Sequence, residues 1–278
     1  MSVRLRSALF TPATHPERFA KAEEVGADLL IIDLEDAIAP KDKKSARATA
    51  FTTLNAAKET PFPCIIRING LDTSAGLCDV LELLASPVQP EFLLLPKTES
   101  AAHLQIVDRL LSEKGLSTKL IGLIESAVGL KAVSDIAHAT PRLAALMFGA
   151  ADLAADLGCG PFAANLTFAR VSLVSACATA AIAAIDSPFF DIRDLAGLER
   201  AALQAADMGF AGKAAIHPSQ VAAINLAFTP TSDEIDEARA ILIENQRGVG
   251  QVNGVMVDEA VARNARRVLA RSGQSFEL

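Results

Sequence analysis

Short apolar runs and helix-like stretches alternate about eight times along this chain, and that alternation leaves few folds open. The runs are SALFTP, ADLLIIDLED, PCIIRING, FLLLPKTES, KLIGLIES, LAALMFGAAD, AAIDSPFF and GKAAIHP. Each is followed by a stretch with helical spacing, from HPERFAKAEEVG, closed by Gly26, to SQVAAINLAF. Nearly continuous apolar runs suit parallel strands buried on both faces. Eight strand–helix units with short connections in 278 residues predict an α/β protein, a (β/α)8 TIM barrel in preference to a doubly wound open sheet. After Pro230 the pattern changes. SDEIDEARAILIENQ reads as a helix with Ser232 as its cap, and a glycine-rich loop leads to a last amphipathic helix. The expected division is residues 1–230 as a catalytic barrel and 231–278 as a C-terminal helical extension, a lid or an arm onto a neighbouring subunit.

In such a barrel functional groups gather at the carboxyl ends of the strands. Charged residues recur there: Asp33, Glu35 and Asp36, then Arg67 with Asn69, Lys97, Glu125, Asp152 and His217. Period two puts Asp33 and Glu35 on one face and Asp36 on the other, and lets Arg67 and Asn69 share a face. The fifth and sixth runs stop on Glu125 and Asp152. If these runs are strands joined by a helix over GLKAVSDIAHATP, they are sheet neighbours about 4.8 Å apart, and the two carboxylates can converge on one Mg2+. Singly, each residue could be a helix cap or half of an ion pair; for Arg67 the partner would be Glu35 or Asp36. As a set they point to a charged ligand. His217 is open between a structural and a catalytic histidine.

Composition narrows the partners. Net charge is -7 with scattered basic residues, so nucleic acid is not expected. Neither a secretory signal run nor about 18 consecutive apolar residues is seen, which predicts a cytoplasmic chain with no membrane partner. Cys64, Cys78, Cys159 and Cys177 sit in apolar surroundings without metal-site spacing and are expected to be buried free thiols.

Eight stretches in order, RSALFTPATHPERFAKA, IIDLEDAIAPKDKKSAR, IIRINGLDT, LLPKTES, LIESAVGL, FGAADLAADLG, GKAAIHPSQV and GVMVD, resemble the citrate lyase beta-subunit-like family of the HpcH/HpaI aldolase superfamily. That group holds magnesium-dependent acyl-CoA lyases, malyl-CoA and citramalyl-CoA lyases among them. The resemblance implies a lyase that cleaves or forms a 3-hydroxyacyl-CoA thioester, yielding an acyl-CoA and a 2-oxo acid such as oxaloacetate, glyoxylate or pyruvate. It implies Mg2+ on Glu125 and Asp152, a substrate-carboxylate and enolate role for Arg67, and a place near the metal waters for Glu35 and Asp36. Arg6, Arg18 and Lys21 fall on the CoA side, and Lys97 joins the substrate-binding set. Asp258, in GVMVD, matches a general base presented from the carboxyl-terminal segment, often into a neighbouring subunit, and a homotrimer is implied. The sequence departs from the family pattern at Thr11 and Thr98, where valine is common. It departs again at Ala151, which replaces an acidic residue and counts against a citrate-specific reading, and at Asn253 and Ala260 in the tail. Two rivals remain: a CoA-independent 2-oxo acid class II aldolase, and a complex-dependent subunit acting on a carrier-bound acyl group.

Overall fold

Strands that pack on both faces need apolar side chains at successive positions, and the eight runs supply them. The computed structural model describes residues 3–56, 62–160, 164–248 and 250–273. Its eight strands are β1 (Ser7–Pro12), β2 (Leu29–Asp33), β3 (Cys64–Arg67), β4 (Phe92–Leu95), β5 (Lys119–Ile124), β6 (Leu143–Phe148), β7 (Ala183–Asp186) and β8 (Gly212–Ala215). They close in sequence order into a barrel of parallel pairs, β8 returning to β1. This is the TIM barrel expected from the alternation.

Alternate residues, among them Leu29 and Ile31, Leu94, Leu123 and Met147, meet in one buried cluster with Ala8, Ile185 and Ala214. The residues between them, such as Leu30, Ile32, Leu93 and Leu146, are buried as well. One set fills the barrel and the other packs under the helices. Those helices are α1 (Ala20–Glu24), α2 (Lys43–Ala56), α3 (Ser74–Ala85), α4 (Ala101–Glu113), α5 (Ala127–Lys131), α6 (Val133–Ala137), α7 (Ala150–Asp156), α8 (Ala164–Ala180), α9 (Leu195–Asp207) and α10 (Val221–Ala227). The end of the helix expected over 41–59 lies outside the described residues. The stretch expected as one helix between β5 and β6 is two. Ser126 caps the first by accepting the Gly129 N–H, and Ala132, at ψ 4°, interrupts the ladder before the second.

A buried ion cluster lies on the helix side of the wall. Asp186 and Lys213 are opposite in register, and the Asp186 carboxylate accepts from Lys213 Nζ at 2.6 Å and from Arg170 at 3.1 and 3.2 Å. Their neighbours Ile185 and Ala214 belong to the barrel core, so this charge faces α8. The cysteines are free, but only Cys64 and Cys177 are buried. Burial pushes those two thiols up to about 11 and about 12. Cys159 is half-buried and Cys78 exposed on the outer side of α3, where Leu77 and Leu81 are exposed too, so the expectation of four buried thiols is corrected.

The chain divides into two compact units, Met1–Ile224 and Asn225–Leu278. The second contains α11 (Ser232–Asn245), a hairpin of β9 (Gly250–Val252) and β10 (Val255–Val257), and α12 (Glu259–Ser272). Thr231, not Ser232, caps α11: its hydroxyl accepts the Glu234 N–H, and Glu234 accepts the Thr231 N–H in return. The hairpin turns on Asn253 and Gly254, both with positive φ, as a two-residue loop of the type I′ kind requires. Ala238 and Leu242 of α11 pack on Ala262, Ala265 and Leu269 of α12. Among the described residues no helix is long and apolar enough to cross a membrane.

Candidate active site

Strand register decides what meets at the carboxyl end of the barrel. Asp33 and Arg67 close β2 and β3 and are partners in register. The guanidinium lays one edge on that carboxylate, Nε to Oδ1 at 2.7 Å and Nη2 to Oδ2 at 2.6 Å. Its face covers the Phe10 ring at 4.9 Å. Its remaining nitrogen, Nη1, lies 3.0 Å from Glu35 Oε2 and 3.7 Å from Asp36 Oδ2. Burial works against the charge on Arg67, and the hydrogen bonds and charge of Asp33 outweigh it, so its pKa is raised.

The principal partner of Arg67 is therefore Asp33. The expected alternation past the strand end does not hold, because β2 stops at Asp33. Beyond it the Glu35 and Ala37 N–H groups turn back onto the Asp33 carboxylate at 2.9 and 3.2 Å, and both Glu35 and Asp36 face Arg67. Asn69 does not share the face of Arg67. It follows the end of β3, and its amide is turned to Asp79 of α3 at 2.7 Å.

Beside this cluster stands Glu125, 4% exposed, directly after β5. Its Oε1 accepts the backbone N–H of Lys97 at 2.8 Å, and Lys97 Nζ lies 3.5 Å from Glu35 Oε1. Lys97 reaches both carboxylates from a left-handed backbone, φ 47°, a strain of the sort found at functional sites. Burial lifts the Glu125 carboxyl to about 8, and the negative charges of Glu35 and Asp152 add to the rise. Glu35 is lifted by burial to about 7 against the pull of Arg67.

Asp152 does not end a strand. β6 stops at Phe148, and Asp152 lies in the first turn of α7. Register still sets Ile124 against Phe148, which brings Gly149 alongside Glu125. A Cβ at Gly149 would overlap the Glu125 side chain and lie 2.9 Å from Oε2. With Glu125 as the metal ligand that the family resemblance implies, Gly149→Ala is expected to keep the fold but displace the carboxylate, weakening divalent-cation affinity by about tenfold or more, as titration calorimetry would measure. Unchanged affinity would mean that Glu125 is not a ligand.

Asp33, Asp36, Arg67, Glu125 and Asp152 line one cavity of about 470 Å³, whose other wall is apolar, with Phe10, Leu123, Met147, Phe190 and Ile216. Among the described residues in and beside it the charges are unequal: the carboxylates Asp33, Glu35, Asp36, Glu125 and Asp152 outnumber the side-chain cations that meet this cluster, Arg67 and Lys97. Glu35 Oε2, though near Arg67, is out of line for a hydrogen bond and is a buried oxygen left without one. Among the described residues no three His, Cys, Asp or Glu side chains form a ready-made metal cage. An excess of carboxylates with an unsatisfied buried oxygen fits a hard dication that takes one or two protein carboxylates and fills its shell with water and substrate.

Other expected residues lie elsewhere. Arg6 precedes β1 and forks onto Asp28 just before β2, Nε to Oδ2 at 2.9 Å and Nη2 to Oδ1 at 2.7 Å. It stands at the amino end of the barrel, roughly 20 Å from the carboxyl end by the length of a six-residue strand, and does not join the site. Arg18 and Lys21 are exposed on the connection leaving β1, paired with Glu17 at 3.6 Å and Glu24 at 2.9 Å. His217 caps a short turn, its Nδ1 accepting the Ser219 N–H at 3.2 Å. Asp258 caps α12 in the second unit, Oδ1 accepting the Val261 N–H at 2.9 Å. The role of Asp33 and the apolar wall were not anticipated. A register alignment of β2 with β3 was the signal for the first; nothing in the sequence marked the second.

A closed parallel barrel with carboxylates and one arginine gathered at its strand ends defines the class: a TIM barrel with an enzyme-like site at its carboxyl face. Residues 6–218 match the family model described as HpcH/HpaI aldolase/citrate lyase, and residues 166–275 match one described as C–C bond lyase of the TIM-barrel fold. The chain belongs to the HpcH/HpaI aldolase/citrate lyase family. It is 34% identical to the L-malyl-CoA/beta-methylmalyl-CoA lyase of Rhodobacter capsulatus over 96% of this chain and 94% of that one. Among solved structures it resembles RipC of Yersinia pestis, 51% identical with a TM-score of 0.75, over 84% of this chain and 100% of that one. It also resembles CitE of Mycobacterium tuberculosis in complex with magnesium, acetoacetate and coenzyme A, 32% identical with a TM-score of 0.82, over 98% and 99%.

Proposed function

We propose that this protein is a magnesium-dependent acyl-CoA lyase, cleaving or forming the carbon–carbon bond of a 3-hydroxyacyl-CoA thioester to give an acyl-CoA and a 2-oxo acid. The observation that carries the reading is the excess of carboxylates around one buried arginine in a half-apolar pocket. A dication and an anionic oxo acid complete that charge set. The malyl-CoA relative supports the thioester, and the ligands in the CitE complex support magnesium, an oxo acid and CoA.

Glu125 and Asp152 would hold the metal, which supplies Lewis-acid polarisation of the hydroxyl or oxo oxygen. Glu35, with its open buried oxygen, takes the hydroxyl proton directly or through a water; Asp36 is the second candidate. As the bond breaks, its electron pair passes to the thioester enolate and the oxo acid departs. Arg67 offers Nη1, the nitrogen that Asp33 leaves free, to the developing oxygen charge. Asp258 is assigned as the group that exchanges a proton with the enolate carbon. Arg18, Lys21 and Lys97 are assigned to the CoA and substrate side, and a homotrimer is the proposed assembly.

The test is release of 2-oxo acid from malyl-, citramalyl- and citryl-CoA with and without magnesium. Magnesium-dependent glyoxylate, pyruvate or oxaloacetate fixes reaction and substrate together. Silence on all three overturns the reading in favour of the aldolase or a carrier-bound substrate. Asp258→Asn adds a second check. Asparagine caps a helix about as well as aspartate, so the melting temperature should hold while kcat falls about 10²- to 10⁴-fold. Retained kcat removes Asp258 from the mechanism.

A further inference from the structure

Behind the pocket, the chain segments leaving β2 and β3 are tied together. Lys43 and Arg47 stand one turn apart on α2. Lys43 Nζ donates to the carbonyls of Leu34 at 3.0 Å and Glu35 at 2.5 Å. The Leu34 carbonyl takes a second hydrogen bond, 3.0 Å, from Asn69 Nδ2. Asn69 is held in turn by Asp79 of α3, whose Oδ2 accepts its backbone N–H at 2.8 Å and its Nδ2 at 2.7 Å. The other Asp79 oxygen accepts Arg47 Nε at 2.6 Å, which leads back to α2 and closes the ring. The packing behind it is tight: a Cβ at Gly76 of α3 would overlap the carbonyl oxygens of Asn69 and Gly70.

Asp79 is fully buried, and neither it nor Lys43, Arg47 or Asn69 lines the pocket. Burying a carboxylate against a guanidinium costs desolvation that apolar packing would avoid, and such a network holds only while every member is satisfied. What it achieves is directional. It joins the backbone that carries Glu35 to the backbone two residues past Arg67, and the two side chains then meet at 3.0 Å.

We infer that the ring of Lys43, Asn69, Asp79 and Arg47 is a positioning device that sets the Glu35 segment against Arg67. Its members are positioning residues that touch no substrate. The inference rests on the proposed roles of Glu35 and Arg67, so its test has one arm that needs no substrate. In the full chain, Asn69→Ala, Lys43→Met and Lys43→Arg are compared by amide hydrogen exchange of residues 34–38, by melting temperature, and by kcat and KM on whichever thioester the wild type cleaves. The Glu35 and Ala37 N–H groups, both bonded to Asp33, report the segment directly.

Asn69→Ala and Lys43→Met are expected to speed exchange in 34–38 by about tenfold while β5 and β6 stay protected, and to lower kcat about 10- to 100-fold with KM within about threefold. Lys43→Arg, still able to donate to both carbonyls, should recover both readouts. Unchanged exchange with unchanged kcat overturns the inference. So does exchange that quickens across the whole barrel, which would mark the ring as a general stabiliser. If the wild type cleaves no thioester, the proposed function falls, and exchange in 34–38 alone decides the role of the ring.

Discussion

Glu125→Gln should lower turnover by about 10³-fold or more, roughly 4 kcal/mol, and cancel the thermal stabilisation given by magnesium. The carboxylate is buried, accepts one backbone hydrogen bond on Oε1, and crowds Glu35 and Asp152. Glutamine keeps the shape and can still accept from Lys97, but it removes one of the two charges proposed to hold the cation. Wild-type protein at about 100 times the dissociation constant of Mg2+ gains about 2.7 kcal/mol, a rise in melting temperature of roughly 5 °C or more. In the variant that rise should vanish, while the metal-free melting temperature stays the same or increases, because a neutral amide relieves the crowding. A variant that still melts higher with magnesium would place the metal elsewhere. The thermal readout stands even if the substrate has been chosen wrongly.

Arg67→Ala is expected to damage both stability and turnover. Removing the guanidinium leaves Asp33, 2% exposed, without two of its hydrogen bonds, and Glu35, 5% exposed, without its nearest cation. Breaking a buried pair from one side costs about 3–5 kcal/mol, a fall on the order of 10 °C in melting temperature. Loss of the donor to the enolate oxygen adds about 3–4 kcal/mol to the barrier, on the order of 10²- to 10³-fold in kcat. Arg67→Lys separates the two effects. A lysine restores part of the charge balance and so part of the stability, but it lacks the fork that grips Asp33 with one edge and serves the pocket with the other. Turnover should therefore remain low as stability recovers. Full activity in Arg67→Ala with none in Glu125→Gln would remove Arg67 as the enolate stabiliser.

The barrel follows from the alternation of apolar runs and helical stretches. Eight apolar runs, each too continuous to leave a face in water and each separated by a helix, call for a parallel sheet covered by helices, and eight units in series with short connections favour its closed form over a doubly wound open sheet. The sequence also determined that Arg67 and Glu125 stand at strand ends, because position within a strand is a one-dimensional property. What required the tertiary structure was everything set by register and by the chain beyond the strands. Asp152 lies in a helix and not at the end of β6, yet Gly149 is brought alongside Glu125 by strand pairing. Glu35 and Asp36 both face Arg67 because strand alternation ends at Asp33, where the backbone curls back to donate to that carboxylate. Arg6 shares a motif with Phe10 and Pro12, which line the pocket, but a strand's length carries it to the opposite end of the barrel, onto Asp28. Spacing along a chain says which residues can share a face. Which atoms meet depends on how neighbouring strands are offset and where each one stops, and those are decided by packing among segments far apart in sequence.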